Sequence, residues 1–324
     1  MKLLNYVGLL VILTTMGVLF KRYQRKYEMD PELKGDALVK KYLLNDEIIY
    51  GKPNLWIHIN YEKNNRNWKN FHSRSSMELN KPYMELCIET IIKYNGDSFN
   101  IFIINDETFS KLLDDWNIEM DLIPDPIKKN ARKVGICKIL YKFGGISLPG
   151  SFLATQNLKD LYNEGIRNNR MFCVENINDT IKNQHSEFAP DDIIIGCNKY
   201  CKKMKEYYEY LNSILKNDYT NESEIKGIGR QWLSMEADDH TINVINGKLI
   251  GIKDVDDKLI GIDELFGASH VNFVKNKSGI YIDDEKMSKR VKYNWFNKVA
   301  KEDIFKSDLV IGRQMLLSYG QGLI

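Results

Sequence analysis

Two compact apolar runs flank a stretch of helical periodicity, and this pattern restricts the fold more than any other feature of the chain. Leu55-Trp56-Ile57-His58-Ile59 has the length and composition of a strand. Lys81 to Tyr94 carries Met84, Cys87, Ile88, Ile91 and Ile92 at helical spacing, with Pro82 suited to the first turn and Asn95-Gly96-Asp97 at the close. Phe99 to Ile104 reads as a second strand, and Asn105-Asp106-Glu107 leaves its C-terminal end. Strand, helix, strand is the signature of a parallel sheet, so the predicted fold class is α/β.

A third unit continues the pattern. Pro126 to Phe143 reads as a helix with Ile127, Ala131, Val134, Cys137, Leu140 and Tyr141 near one face. Lys128, Lys129, Arg132, Lys133, Lys138 and Lys142 take much of the remainder. Gly144-Gly145 ends the helix, and Ile146-Ser147-Leu148 is a short strand stopped by Pro149-Gly150. Further on, Ile193 to Ile195 is a strand and Cys201 to Leu215 a charged amphipathic helix. Two similar segments, Gly247 to Ile252 and Asp257 to Ile262, read as a local hairpin, and the tail from Asp283 reads as helical and charged.

The chain has 324 residues, enough for a sizeable core. Its formal net charge of +2 gives no global electrostatic case for nucleic-acid binding. The cysteines Cys87, Cys137, Cys173, Cys197 and Cys201 are an odd, sparse set. They read as ordinary buried thiols rather than a disulfide framework.

Leu3 to Phe20 is an uncharged apolar run of eighteen residues. As a helix it would span about 27 Å, close to the thickness of a hydrocarbon core. No small-x-small site follows it, which favours an uncleaved anchor over a signal peptide. Lys21, Arg22, Arg25 and Lys26 follow the run, and only Lys2 precedes it. The positive-inside rule therefore places the C-terminal domain in the cytosol. On that topology the sequons at Asn178, Asn221 and Asn276 stay unmodified. The expected layout is an anchor with its basic flank over residues 1–27, a polar stalk over 28–52 and one domain over 53–324.

The stretch Cys137-Lys138-Ile139-Leu140-Tyr141-Lys142-Phe143-Gly144-Gly145-Ile146-Ser147-Leu148 resembles the signature of DXD-containing sugar transferases and capsular polysaccharide synthesis proteins. In that family a helix ending L-Y-K-Y-G-G-I runs into a strand carrying D-x-D. Trp56 in the first strand, Tyr94-Asn95 at the helix end and Asn105-Asp106-Glu107 after the second strand agree with the family's order. The resemblance spans roughly residues 53–200. It implies a GT-A fold, a Rossmann-type mixed sheet flanked by helices that binds a nucleotide sugar at the C-terminal ends of its strands. It also implies a nucleotide-sugar donor and a glycan acceptor as partners, beside the membrane.

The departures fall where the chemistry would be. Counting from Gly144-Gly145, the family's Ser-Asp pair falls on Arg132 and Lys133, its helix Arg on Ile136, and its D-x-D on Pro149-Gly150-Ser151. A D-x-D pair holds the divalent cation that neutralises the leaving diphosphate, and Pro and Gly supply no ligand. Two readings follow: transfer without that metal, with basic side chains offsetting the diphosphate, or a degenerate transferase that binds glycan or protein. In the first, the resemblance makes Tyr61, Arg66, Arg74, Arg132, Gly144, Gly145 and Ser151 the candidate nucleotide-sugar contacts. Arg66 and Arg74 stand in an aromatic-rich loop with Tyr61, Trp68 and Phe71. An ordinary packed surface loop is the alternative reading for that segment.

Inverting glycosyl transfer commonly takes a carboxylate as its general base, and Asp106 and Asp239 are the candidates. Asp191-Asp192 and Asp238-Asp239-His240 each read as a turn before a strand. No P-loop, G-x-S-x-G or H-E-x-x-H motif is present, and neither a metal site nor a cofactor is assigned.

Overall fold

The central feature is a six-stranded mixed sheet in the order β2-β1-β3-β6-β5-β7. The computed structural model describes residues 51–59, 81–124, 127–178, 187–216 and 222–320. In chain order these form β1 (Asn54–His58), α1 (Pro82–Asn95), β2 (Asn100–Ile104), α2 (Thr108–Leu112), α3 (Ile127–Phe143) and β3 (Gly145–Pro149). Next come β4 (Phe152–Ala154), α4 (Lys159–Gly165), β5 (Phe172–Ile177), β6 (Phe188–Cys197), α5 (Lys202–Lys216) and α6 (Glu222–Asp238). The chain continues through β7 (Asn243–Ile245), α7 (Ile262–Leu265), β8 (Gly279–Tyr281), α8 (Asp284–Lys289), α9 (Lys301–Lys306) and α10 (Val310–Gly320).

β1 pairs in parallel with both β2 and β3, and β5 pairs in parallel with β7. β6 runs antiparallel between β3 and β5. Five strands therefore end on one side of the sheet, and β6 begins there. A second sheet pairs β4 with β8. Alternation along β1 sends Trp56 and His58 to one face. Trp56, Phe102, Val134, Leu140, Ile195, Tyr207 and Leu233 form one core beneath α3, α5 and α6. Tyr83, Leu86, Leu153, Ile280, Phe296 and Ile311 form the other, among α1, the small sheet and the C-terminal helices.

The Gly144-Gly145 block is explained by close packing. Gly144 closes α3 with φ +71°, the left-handed turn that favours glycine, and its amide reaches Leu140 O at 2.8 Å. Gly145 has φ +108°, and a Cβ there would stand 2.1 Å from Asn54 O. Asn54 Nδ2 donates to Phe143 O and Trp56 Nε1 to Gly144 O, each at 3.0 Å. The helix end is thus fastened onto β1 through Asn54 and Trp56.

Two expectations need correction. Asp191 and Asp192 lie inside β6 rather than before it, because β6 is longer than its apolar part. The segments 247–252 and 257–262 form no full hairpin: Ile260 N donates to Ile252 O at 2.8 Å, and one isolated bridge joins Lys253, just past the first segment, to Leu259. Gly247–Ile250 is a 3-10 turn, and Gly251 with φ +70° redirects the chain before pairing can extend. Among the described residues no helix is long and apolar enough to cross a membrane. The run Leu3 to Phe20 and all but the last two residues of the stalk expected over 28–52 lie outside those residues, as do Tyr61, Arg66 and Arg74.

Candidate functional site

A cleft of about 330 Å³ opens at the end of the sheet where β1 and β3 finish. Open α/β sheets bind ligands outside the carboxyl ends of their strands, and this cleft has that position. His58, Ser147 and Pro149 contribute from β1 and β3, Asn176 from β5, and Asp191 and Asp192 from β6. Lys129 and Lys133 come from α3, one turn apart, and Tyr281, Asp283 and Glu285 close the far wall.

Most of these charges are already paired. Asp192 accepts from Lys133 Nζ at 2.5 Å and from the Tyr207 hydroxyl at 2.8 Å. Burial disfavours the Lys133 ammonium, but the charges of Asp192 and Asp191 outweigh it and hold the amine above its ordinary value. Burial, reinforced by Asp192, pushes the Tyr207 hydroxyl well up. Asp191 is buried, bonded to Asn176 Nδ2 at 2.9 Å and ion-paired to Arg230 of α6. Arg230 also donates to Ile177 O at 3.0 Å, tying α6 to the end of β5. Glu285 receives Lys129 at 2.9 Å and Lys289 at 2.5 Å. Burial raises the Glu285 carboxyl, yet those two lysines pull it down to about 2.

Beside the cleft stands a second constellation. Arg132 grips Asp106 with two parallel bonds, Nε to Oδ1 at 2.8 Å and Nη2 to Oδ2 at 2.7 Å. His58 Nε2 meets Asp106 Oδ1 at 3.0 Å. The imidazole stacks on Phe109 of α2, with centroids 5.5 Å apart and planes 8° from parallel. Burial raises the Asp106 carboxyl, but the hydrogen bonds from His58 and Arg132 and the charge of Arg132 hold it well below the usual range.

The residues expected from the sequence scatter across this picture. Asp106 and Arg132 are brought together, but with each other rather than along the cleft wall. Ser151 is buried in the turn between β3 and β4 and donates to Ile282 O at 2.7 Å, so its hydroxyl is used inside the fold. Gly144 and Gly145 stand at the start of β3, about 13 Å from the cleft end of that strand by its rise. Asp239 is exposed in the turn between α6 and β7. Because β7 runs parallel to β5, that turn is also at the far end of the sheet. Asp239 and Asp106 therefore cannot share one substrate.

The acidic metal site of the resembled family does not fit these residues. Pro149 has no ligand atom, and Ser151 Oγ is committed to Ile282 O. Among the described residues no three His, Cys, Asp or Glu side chains are grouped to hold a metal ion. All five cysteines are reduced and buried.

Sequence reasoning missed His58, Asn176, Tyr281, Asp283 and Glu285. Only His58 carried a usable signal, as a polar residue at the C-terminal end of a predicted strand.

No family model matches the chain. No curated protein matches it either. Among solved structures, the apo form of the glycosyltransferase GlyE from Streptococcus pneumoniae TIGR4 aligns with 61% of this chain at 12% identity and a TM-score of 0.35. A second GlyE structure from the same strain aligns with 60% of this chain at 13% identity and a TM-score of 0.32. The structure described as PaToxG Glycosyltransferase aligns with 57% at 14% identity and a TM-score of 0.32. The matches cover 46% and 45% of the GlyE chains and 69% of PaToxG, so this chain spans less than half the length of GlyE.

Proposed function

We propose that this chain is a membrane-anchored, glycosyltransferase-like protein that takes a nucleotide sugar into the cleft between β1, β3 and α3 and passes the sugar to a glycan. The observation that carries this reading is the cleft itself. It lies at the carboxyl ends of β1 and β3, directly after the helix and strand that resemble a sugar-transferase signature. Carboxylates and an amide on its floor suit sugar hydroxyls, and the lysines of α3 suit a diphosphate.

The leaving group's charge falls to Lys129 and Lys133. Lys129 shares its partner Glu285 with Lys289, and both side chains of the Lys129–Glu285 pair are more than a third exposed. Such pairs contribute at most about 1 kcal/mol, so a diphosphate can replace Glu285 on Lys129 at small cost. The Asp191–Arg230 pair is buried and holds the floor in place.

A second reading, a non-enzymatic glycan-binding module, is favoured by one observation. Both lysines of the cleft already hold carboxylates of the same cleft. Calorimetric titration of UDP, UDP-glucose and GDP-mannose, with and without EDTA, separates the readings. The transferase reading expects nucleotide binding that EDTA barely changes. Binding of free oligosaccharide with no nucleotide affinity would favour the module.

A further inference from the structure

We propose that His58 is the general base of this cleft and that Asp106, held by Arg132, is the residue that positions it; this rests on the transferase reading above. Three observations carry it. His58 is the last residue of β1 and lines the cleft, whereas Asp106 and Arg132, beside it, do not line the cleft. Asp106 is clamped by Arg132 through two bonds, so its carboxylate is ionised and can only accept. His58 Nε2 therefore donates to Asp106, and Nδ1 of the neutral ring keeps its lone pair. Among the described residues, the Asp106 contact is the only hydrogen bond to the His58 side chain. Stacking on Phe109 restrains the ring plane, so carboxylate and aromatic together fix its tautomer and its orientation.

The same facts remove Asp106 from the role of base. Both of its oxygens are engaged, and a carboxylate stabilised in this way is a poor proton acceptor. A base oriented by a third, ionised group is the general arrangement for activating a hydroxyl.

In the step, the acceptor hydroxyl attacks the anomeric carbon of the donor. Its proton passes to His58 Nδ1 as the new carbon–oxygen bond forms. The bond from the anomeric carbon to the diphosphate breaks, and its electron pair leaves on the nucleoside diphosphate. Displacement of this kind inverts the anomeric centre.

The experiment uses the full chain, with UDP-glucose and GDP-mannose as donors and water as acceptor, and follows release of nucleoside diphosphate. UDP affinity is measured in parallel by calorimetry. His58→Gln is expected to lower kcat by about 10²- to 10⁴-fold while KM and UDP affinity change by less than about threefold. Asp106→Asn is expected to lower kcat by at least about tenfold and to mix the imidazole tautomers seen by ¹⁵N NMR. In the wild type, those spectra should show a proton on Nε2 and none on Nδ1 of the neutral ring. Turnover retained by His58→Gln, a neutral wild-type ring protonated on Nδ1, or a first-formed sugar of retained configuration would overturn the assignment. Nucleotide binding without turnover would overturn it too, while leaving the nucleotide-binding reading standing. No UDP affinity in the wild type would instead overturn that underlying reading.

Discussion

Ser151 donates its hydroxyl to the carbonyl oxygen of Ile282 at 2.7 Å, and both residues are buried. This contact joins the turn after β3 to the end of β8 and occupies the position where the resembled transferases carry an acid. Restoring that acid should therefore fail to restore a metal site. Ser151→Asp would bury a carboxylate against a carbonyl oxygen, at a cost of roughly 2–5 kcal/mol. Thermal denaturation should show the loss, and titration with Mn²⁺ should show no gain in affinity over the wild type.

Gly145→Ala tests the fastening of α3 onto β1. The new Cβ would stand 2.1 Å from a backbone oxygen, at a φ of +108° that L residues avoid. Backbone atoms must move, so the expected loss is about 4 kcal/mol, near the upper end for single substitutions. Calorimetry should record a fall of about 10 °C in Tm.

The helices and strands from β1 to β3 were legible because period and punctuation agree there. Pro82 opens α1, Gly144-Gly145 closes α3, and apolar residues keep the helical repeat between them. The cleft was harder to read. Pro190-Asp191-Asp192 looks like a turn, yet it lies in β6 because Arg230 and Asn176, distant in sequence, satisfy Asp191. Asp239 looked as suitable as Asp106, since both follow an element end beside a strand. Which loop reaches the cleft depends on strand direction, and the pairing of β7 with β5 sets that. His58 read as part of an apolar run until the parallel partners of β1 gave its position meaning.

Removing one member of the buried pair should cost more than removing both. Arg230→Met leaves Asp191 charged and buried, a loss of about 3–5 kcal/mol. Asp191→Asn combined with Arg230→Met should recover much of that in urea denaturation. Equal loss in the single and double variants would mean that the pair is not the source.

The acid limb of stability carries the signature of Asp106. Its folded pKa is depressed, so its contribution is full above the ordinary value of 3.8 and is lost as pH falls through the lower folded value. Stability of the wild type should fall as pH drops below about 4, with Glu285 adding to the loss toward about 2. Asp106→Asn should be less stable at neutral pH and show a shallower acid slope in denaturant titrations at stepped pH.

For the proposed anchor, carbonate extraction should leave the full-length chain with membranes, and deletion of residues 1–27 should release it. Protease added to sealed vesicles with cytosolic faces outward should digest the domain. Asn178, Asn221 and Asn276 should carry no glycan. A mobility shift on endoglycosidase treatment would mean the opposite orientation.

The most direct measurement is a crystal structure of the chain with bound UDP-glucose. The diphosphate should lie within hydrogen-bonding distance of Lys129 and Lys133, at the ends of β1 and β3, with the sugar over Asn176 and Asp192. A nucleotide seated near Gly144 and Gly145 or beside Asp239, at the other end of the sheet, would contradict it.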